Sequence, residues 1–228
     1  MERGLYIAAT GMMAEMVRQD QIANDLANAS TPGYKSDRSS QASFGDMLLS
    51  NTVSGQPIGP LGMGARIEEI VTDVNPAPLR ETGEPLDFAI QGEGWFGVQT
   101  PQGVRYTRNG QFALSPQGTL VDGMGNQLLG RNGGPVRANR DGTVDAAQLG
   151  VFNLANPQKV GDSYVTGNAG GQAAGVVRAG ALEGSNAQAS RSMVDMIASF
   201  RAFEAGQRVI RTIDETLQKA ANSVGSMR

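Results

Sequence analysis

NDLANASTPGYK, Asn24 to Lys35, reads as the end of a helix followed by a turn. Pro32 disfavours helix in the residue before it, and Gly33 supplies a backbone that turns left-handed without strain. Little chain precedes this stop, so the helix it ends must find its packing partner elsewhere. Reading backwards, Leu5, Ala9, Met12, Met16, Gln19, Ala23 and Leu26 recur at alternating steps of four and three. That is the spacing of a coiled-coil seam, with Gln19 as its polar member. The spacing predicts a helix over about residues 3–29, ~40 Å long at 1.5 Å per residue.

The far end of the chain repeats the pattern. Ser185 and Gln188 in GSNAQ have the Ser-x-x-Gln spacing of a capping box. Beyond them Met193, Met196, Phe200, Phe203, Gln207, Ile210, Asp214, Leu217, Ala221 and Val224 step by three and four, predicting a helix of about 35 residues, ~50 Å long. The two helices either pair inside one subunit or turn their seams to neighbouring copies. Gln19, Gln207 and Asp214 read as register devices, because an unpaired polar group in a seam penalises misalignment.

The middle differs in kind. From about Pro85 to Gly180, short strand-like runs alternate with Gly and Asn turns. LDFAI, WFGVQT, VRYTR, QFAL, GTLV and NQLLG are the clearest, followed more weakly by GPVRA, GTVD and LGVFNLA. Asn109-Gly110 predicts a two-residue hairpin between VRYTR and QFAL. Pro116-Gln117-Gly118, Asp122-Gly123 and Asp141-Gly142 mark further turns. Ser36–Glu84 reads as a connector with some structure, in which ARIEEIVTDV is a candidate strand. The expected fold is α+β: N- and C-terminal amphipathic helices forming a coiled-coil layer, with a central antiparallel all-β domain. The expected division is 1–35 (N-terminal helix), 36–84 (extended connector), 85–183 (β-rich domain) and 184–228 (C-terminal helix).

Composition narrows the function. Gly accounts for 31 of 228 residues and aromatics for only 5%, so the chain is turn-rich and poor in bulky core residues. It has no His and no Cys. That removes Ser-His-Asp and Cys-His catalysis, imidazole and thiolate metal sites, disulfides and a histidine pH switch. A net charge of −3 without a run of Lys or Arg argues against a nucleic-acid partner. No window approaches the roughly 18–20 apolar residues of a membrane span, so no membrane insertion is expected. Gly4–Ala14 is mildly apolar and follows Arg3, as a signal peptide would. Glu2 offsets that charge, however, and the apolar pattern runs on into Gln19–Leu26, so no cleaved signal is expected.

Motifs that suggest chemistry have plainer readings. Gly92-x-Gly94-x-x-Gly97 has dinucleotide-fingerprint spacing, but Val98-Gln99-Thr100-Pro101 follows as a strand where the fingerprint needs a helix. Close strand approach explains those glycines better. Glu81, Glu84 and Asp87 could supply a paired acid and base, yet solvated loop charges fit as well. Asn28-Ala29-Ser30 is a chance-level glycosylation sequon. Met12, Met13 and Met16 could form an adaptable face, though seam packing explains them better. No catalytic, cofactor-binding or metal residue is expected, and no cofactor.

The opening stretch carries a resemblance. Asn24, Leu26, Ala27, Asn28, Thr31, Gly33, Tyr34 and Lys35 are similar to the N-terminal signature of the bacterial flagellar rod and hook axial proteins. GLYIAATGM before it resembles the start of rod proteins. LDFAIQGEGWFGVQTPQGVRYTRNGQFALSPQGTLVDGMGNQLLG resembles their β-domain core, and LEGSNAQASRSMVDMIASFRAFEAGQRVIRTIDETLQKA their C-terminal helix. The length and single β domain fit the rod subunits, of distal or related proximal type. The resemblance implies a structural basal-body subunit, exported by the flagellar type III apparatus and self-assembling into a helical tube that transmits torque from motor to hook. Its implied partners are further copies of itself and the other rod, hook and ring proteins. The terminal helices would form the inner layer, with Leu5, Met12, Met16, Gln19, Leu26, Met193, Met196, Phe200, Phe203, Gln207, Ile210 and Leu217 as seam. The signature residues would be an assembly motif and the β domain the outer layer, within the cell envelope and periplasm. The alternative is a carboxylate-dependent carbohydrate-active enzyme or cell-wall-binding module.

Overall fold

The computed structural model describes residues 2–43, 45–50, 56–139, 141–161 and 163–225. The chain forms two compact units: Met1–Leu26, Asp37–Val71 and Ala189–Arg228 make the first, Ala27–Ser36 and Thr72–Gln188 the second.

The first unit holds both long helices, α1 (Glu2–Ala27) and α2 (Ala189–Gly225). Strand β1 (Asp37–Ser43) is followed by an antiparallel pair, β2 (Asp46–Ser50) with β3 (Pro57–Gly62), and then by β4 (Ala65–Thr72), which pairs back to β1. The helices meet each other antiparallel. Gly4 lies against Ile213, Met12 against Gly206, and Ser199 Oγ donates to Glu15 Oε2 at 2.5 Å. Of the two pairings open from the sequence, contact within one chain is therefore realised. The approach is close because small residues line it: a Cβ on Gly206 would fall 2.7 Å from Met12 Cγ. On the other side of α1, Thr10 Oγ1 accepts from the Ala65 N–H at 3.4 Å, with Gly64 pressed against the Thr10 side chain.

The helix ends differ in detail from expectation. The first stops at Ala27, ahead of Pro32, where a turn closed by Thr31 N–H to Asn28 O (3.1 Å) replaces the next helical bond. The second starts at Ala189, and Ser185 does not cap it: its Oγ accepts from Ala187 N–H at 3.1 Å in a local turn. A polar turn thus takes up the hydroxyl that a capping box would have used.

The second unit is a β domain of short strands: β5 (Leu79–Glu81), β6 (Phe88–Gln91), β7 (Trp95–Thr100), β8 (Gly103–Thr107), β9 (Ala113–Leu114), β10 (Leu120–Val121), β11 (Gln127–Leu128), β12 (Val151–Val160), β13 (Tyr164–Gln172), β14 (Val176–Ala179) and β15 (Ala181–Glu183). Seven of them form one sheet in the order β12-β13-β8-β7-β11-β10-β9. Because β12 also pairs with β7, strands β7, β8, β13 and β12 close into a ring. The pairs β6–β14 and β5–β15 stand apart and, like β12–β13 and β7–β8, are antiparallel. Phe88, Ile90, Phe96, Val98, Phe112, Leu120, Leu128, Leu149 and Val151 form the core, with Phe96 edge-on to Phe112 at 5.5 Å between ring centroids. Trp95, Tyr106 and Val165 make a second cluster on the opposite face.

The dinucleotide reading of Gly92, Gly94 and Gly97 is excluded by position. Gly97 lies inside β7, where a Cβ would sit 2.8 Å from the Phe152 ring, and a Cβ on Gly94 would meet Val151 at 2.3 Å. Asn109-Gly110 is a correction. It does not join a hairpin, since β8 pairs with β7 and β13 while β9 pairs with β10. Gly110 is required for contact instead: its Cβ would fall 1.5 Å from the Phe88 carbonyl oxygen. The hairpin turn is Pro101-Gln102, between β7 and β8. GTVD forms no strand; Asp145 there accepts from Ala147 N–H at the start of a single 3-10 turn, Ala146–Gln148.

Candidate functional site

Two features stand out, one in each unit. In the first, the long helices lack a core. Among the described residues, α1 buries only Ala14 and Asp25, and α2 only Ser199. Meanwhile Leu5, Tyr6, Met13, Met16 and Val17 on α1 remain exposed, as do Met193, Val194, Ile197, Phe200, Val209 and Leu217 on α2, several at more than half their surface (Met13 67%, Phe200 52%). Side chains of this kind add roughly 1.5–3 kcal/mol each when buried, so the faces are strongly disposed to association.

The seam residues divide between these faces. Met12, Gln19, Leu26, Met196, Phe203 and Ile210 are half-buried; Leu5, Met16, Met193, Phe200, Gln207 and Leu217 are exposed. Gln19 Nε2 and Gln21 Nε2 are enclosed without an acceptor among the described residues. An alternation of three and four cannot say which of two adjacent stripes meets the partner helix. The small residues Ser199 and Gly206, absent from the expected seam, are the signal for the stripe that does.

The signature Asn24–Lys35 also divides. Asn24 and Ala27 are exposed on the last turn of α1, and Leu26 is half-buried. Asn28 and Thr31 build the turn, the Thr31 Oγ1 and Asn28 Oδ1 lying 3.1 Å apart. Gly33, Tyr34 and Lys35 are buried inside the second unit, Tyr34 completely. Gly33 has φ +67°, and a Cβ there would stand 2.2 Å from the Arg108 carbonyl carbon, so two independent constraints demand glycine. Its N–H donates to Glu183 O at 2.8 Å.

Around this segment lies a buried ionic clasp. Glu183, at 0% exposure, accepts from Lys35 Nζ (2.6 Å) and Ala77 N–H (2.9 Å) through Oε1, and from Arg108 (3.0 Å) through Oε2. Two cations face one carboxylate, and carbonyls share the surplus charge: Lys35 also donates to Asn75 O (2.7 Å), Arg108 to Gly92 O (2.9 Å). The Arg108 guanidinium lies 5.4 Å over the Trp95 ring, and Lys159 Nζ lies 4.0 Å over Tyr34 while donating to Lys35 O at 2.9 Å. Burial holds the Lys35 ammonium below its ordinary pKa, against the opposing pull of Glu183. Asn186 completes the clasp: its N–H donates to Tyr34 O (3.2 Å), its Oδ1 accepts from Ser36 N–H (2.7 Å), and its Nδ2 donates to Asp73 O (2.6 Å). Glu183 and Arg108 carry no motif in the sequence; only long-range pairing makes them visible.

The carboxylates considered for catalysis do not form a comparable centre. Glu81 is largely exposed and pairs with Arg178 at 3.4 Å, Glu84 is exposed, and Asp87 is buried beside Gln111 in a β-bridge. Among the described residues no group of three acidic, His or Cys side chains is placed to hold a metal, and no helix is long and apolar enough to cross a membrane.

Three family models match the chain: the flagella basal body rod protein model over residues 5–35, the flagellar hook protein FlgE/F/G D1 domain over 89–159, and the flagellar basal body rod FlgEFG protein C-terminal model over 178–223. The flagellar basal-body rod protein FlgG of Bacillus subtilis (strain 168) is 31% identical over 261 aligned positions, covering 97% of this chain and 99% of the relative. The flagellar hook-basal body complex protein FlhO of the same organism is 30% identical with full coverage of both chains. The flagellar basal-body rod protein FlgF of Salmonella typhimurium is likewise 30% identical over 267 positions, again with full coverage. These alignments outrun the 228 residues here, so those relatives carry insertions.

Proposed function

The chain belongs to the flagellar basal-body rod protein family, and from that premise we propose that it self-assembles head-to-tail into the tubular rod that carries torque from motor to hook. It is a structural subunit, and the work of its residues is contact and shape, not catalysis. One observation carries the reading: two helices that pair with each other yet leave an apolar stripe apiece uncovered. Repeated contact between non-identical faces that never closes on itself gives an open helical array. In that array the exposed seam members Leu5, Met16, Met193, Phe200 and Leu217 face neighbouring copies, and the helices make the inner coiled-coil layer with the β domain outside. The partners at either end of the array are other rod, hook and ring proteins, and the site is the basal body in the cell envelope, reached by type III export.

Sedimentation of the purified chain across a concentration series tests this. Elongated species that grow with concentration, and that vanish when Ile197 and Phe200 are both changed to Glu, are the expected result. A chain that stays monomeric at all concentrations, with or without nucleating rod proteins, would sink it. The carbohydrate-active alternative finds no support in the family or in the placement of Glu81 and Glu84.

A further inference from the structure

The clasp joins three chain segments far apart in sequence: 33–36, 73–78 and 183–186. We propose that it is an interlock, in which burial of Gly33, Tyr34 and Lys35 at the end of the N-terminal signature is conditional on arrival of the C-terminal segment that carries Glu183 and Asn186. The inference does not depend on the rod reading.

The argument is electrostatic first. Tyr34 and Lys35 enter a dry site that already holds Arg108, which is 4% exposed. Without Glu183 that site would hold two cations against the more distant Asp73 carboxylate alone, and a buried charge without a close counter-charge is strongly disfavoured. Burying the ammonium before the Glu183 carboxylate is in place is therefore costly. The hydrogen bonds point the same way. Gly33 N–H donates to Glu183 O, Asn186 N–H to Tyr34 O, and Ser36 N–H to the Asn186 side chain. Each of those links crosses about 150 residues, and none is satisfied by a neighbour in the chain. Residues 33–36 immediately follow the turn after α1, and Asn186 lies just ahead of α2. A chain whose C-terminal segment is missing or late therefore leaves Gly33, Tyr34 and Lys35 exposed, and one event hides them.

Two measurements decide the matter. Native-state hydrogen exchange on the intact full chain should show the Gly33, Ser36 and Asn186 amides opening together, with one common dependence on denaturant. Independent rates for the two segments would overturn the interlock, and this needs no variant. Amine labelling read by mass spectrometry then compares Lys35 with exposed Lys219 in the same chain. Glu183→Gln should raise Lys35 labelling about 100-fold, as expected for stranding buried cations, while exchange at Phe96 and Val98 in β7 stays slow. Unchanged Lys35 labelling with a folded β7 would equally refute it.

Discussion

Gly33 is the residue on which the second unit is most exacting. A side chain there would need left-handed backbone and would overlap the Arg108–Asn109 peptide. Gly33→Ala should therefore cost at least about 3 kcal/mol, well above the ~1 kcal/mol of the backbone penalty alone, as read from the denaturant midpoint. Tyr164 offers a pH test. Its hydroxyl donates to Asp122 and also meets Asn126 Nδ2, and burial foremost, then the Asp122 carboxylate, pushes its pKa up to about 12. Its unfolded value is about 10, so the native state favours the neutral phenol. That stability is intact below pH 10 and lost as pH rises from 10 toward 12. Tyr164→Phe should flatten this loss in chemical denaturation between those values; an equal decline in both proteins would show that Tyr164 is not its source. At this scale the sequence was half legible. Gly33 and Tyr34 stood out within a motif, but the reason for them did not, because their counterparts Arg108 and Glu183 lie more than 70 residues away along the chain.

At the scale of elements, the two helices were legible in existence and length, and their facing stripes were not. Periodicity locates an apolar sector; it does not separate the side that meets the partner helix from the side left over. Gly206 marks the difference, since it admits the Met12 side chain. Gly206→Val should separate α1 from α2 and expose Met12 and Ser199, detected as faster amide exchange along both helices, although valine in a helix interior costs less propensity than the glycine it replaces. If exchange slows instead, helix propensity outweighs packing there. Gln207, by contrast, is exposed in the single chain. Gln207→Leu should leave monomer stability within about 0.5 kcal/mol while promoting off-register assemblies, visible as heterogeneous filament diameters in electron micrographs; uniform filaments would remove Gln207 as a register device. Among the strands, runs dense in Val, Phe and Leu were readable. Strand β13, YVTGNAGGQ, was not: glycine and asparagine usually signal turns, and there they are tolerated because pairing with β12 and β8 supplies the order.

For the whole molecule, limited proteolysis gives the sharpest test. Trypsin should cut α1 at Arg18 and α2 at Arg191 or Arg201 before it cuts at Lys35, whose backbone is buried within the clasp. The resistant fragment should thus begin before residue 33 and end after residue 186, and early cleavage after Lys35 would contradict the placement of that segment. The clasp also has a polymer-physics consequence. By pinning residue 36 to residue 186, it closes a loop of about 150 residues, whose entropic penalty grows only as the logarithm of its length. Doubling such a loop costs only about 0.6 kcal/mol. The chain between, β1–β4 together with the β domain, is thus a cassette between two fixed anchor points, and its contour length can drift while the anchors hold still. Relatives that match end to end yet carry insertions are what such an arrangement permits.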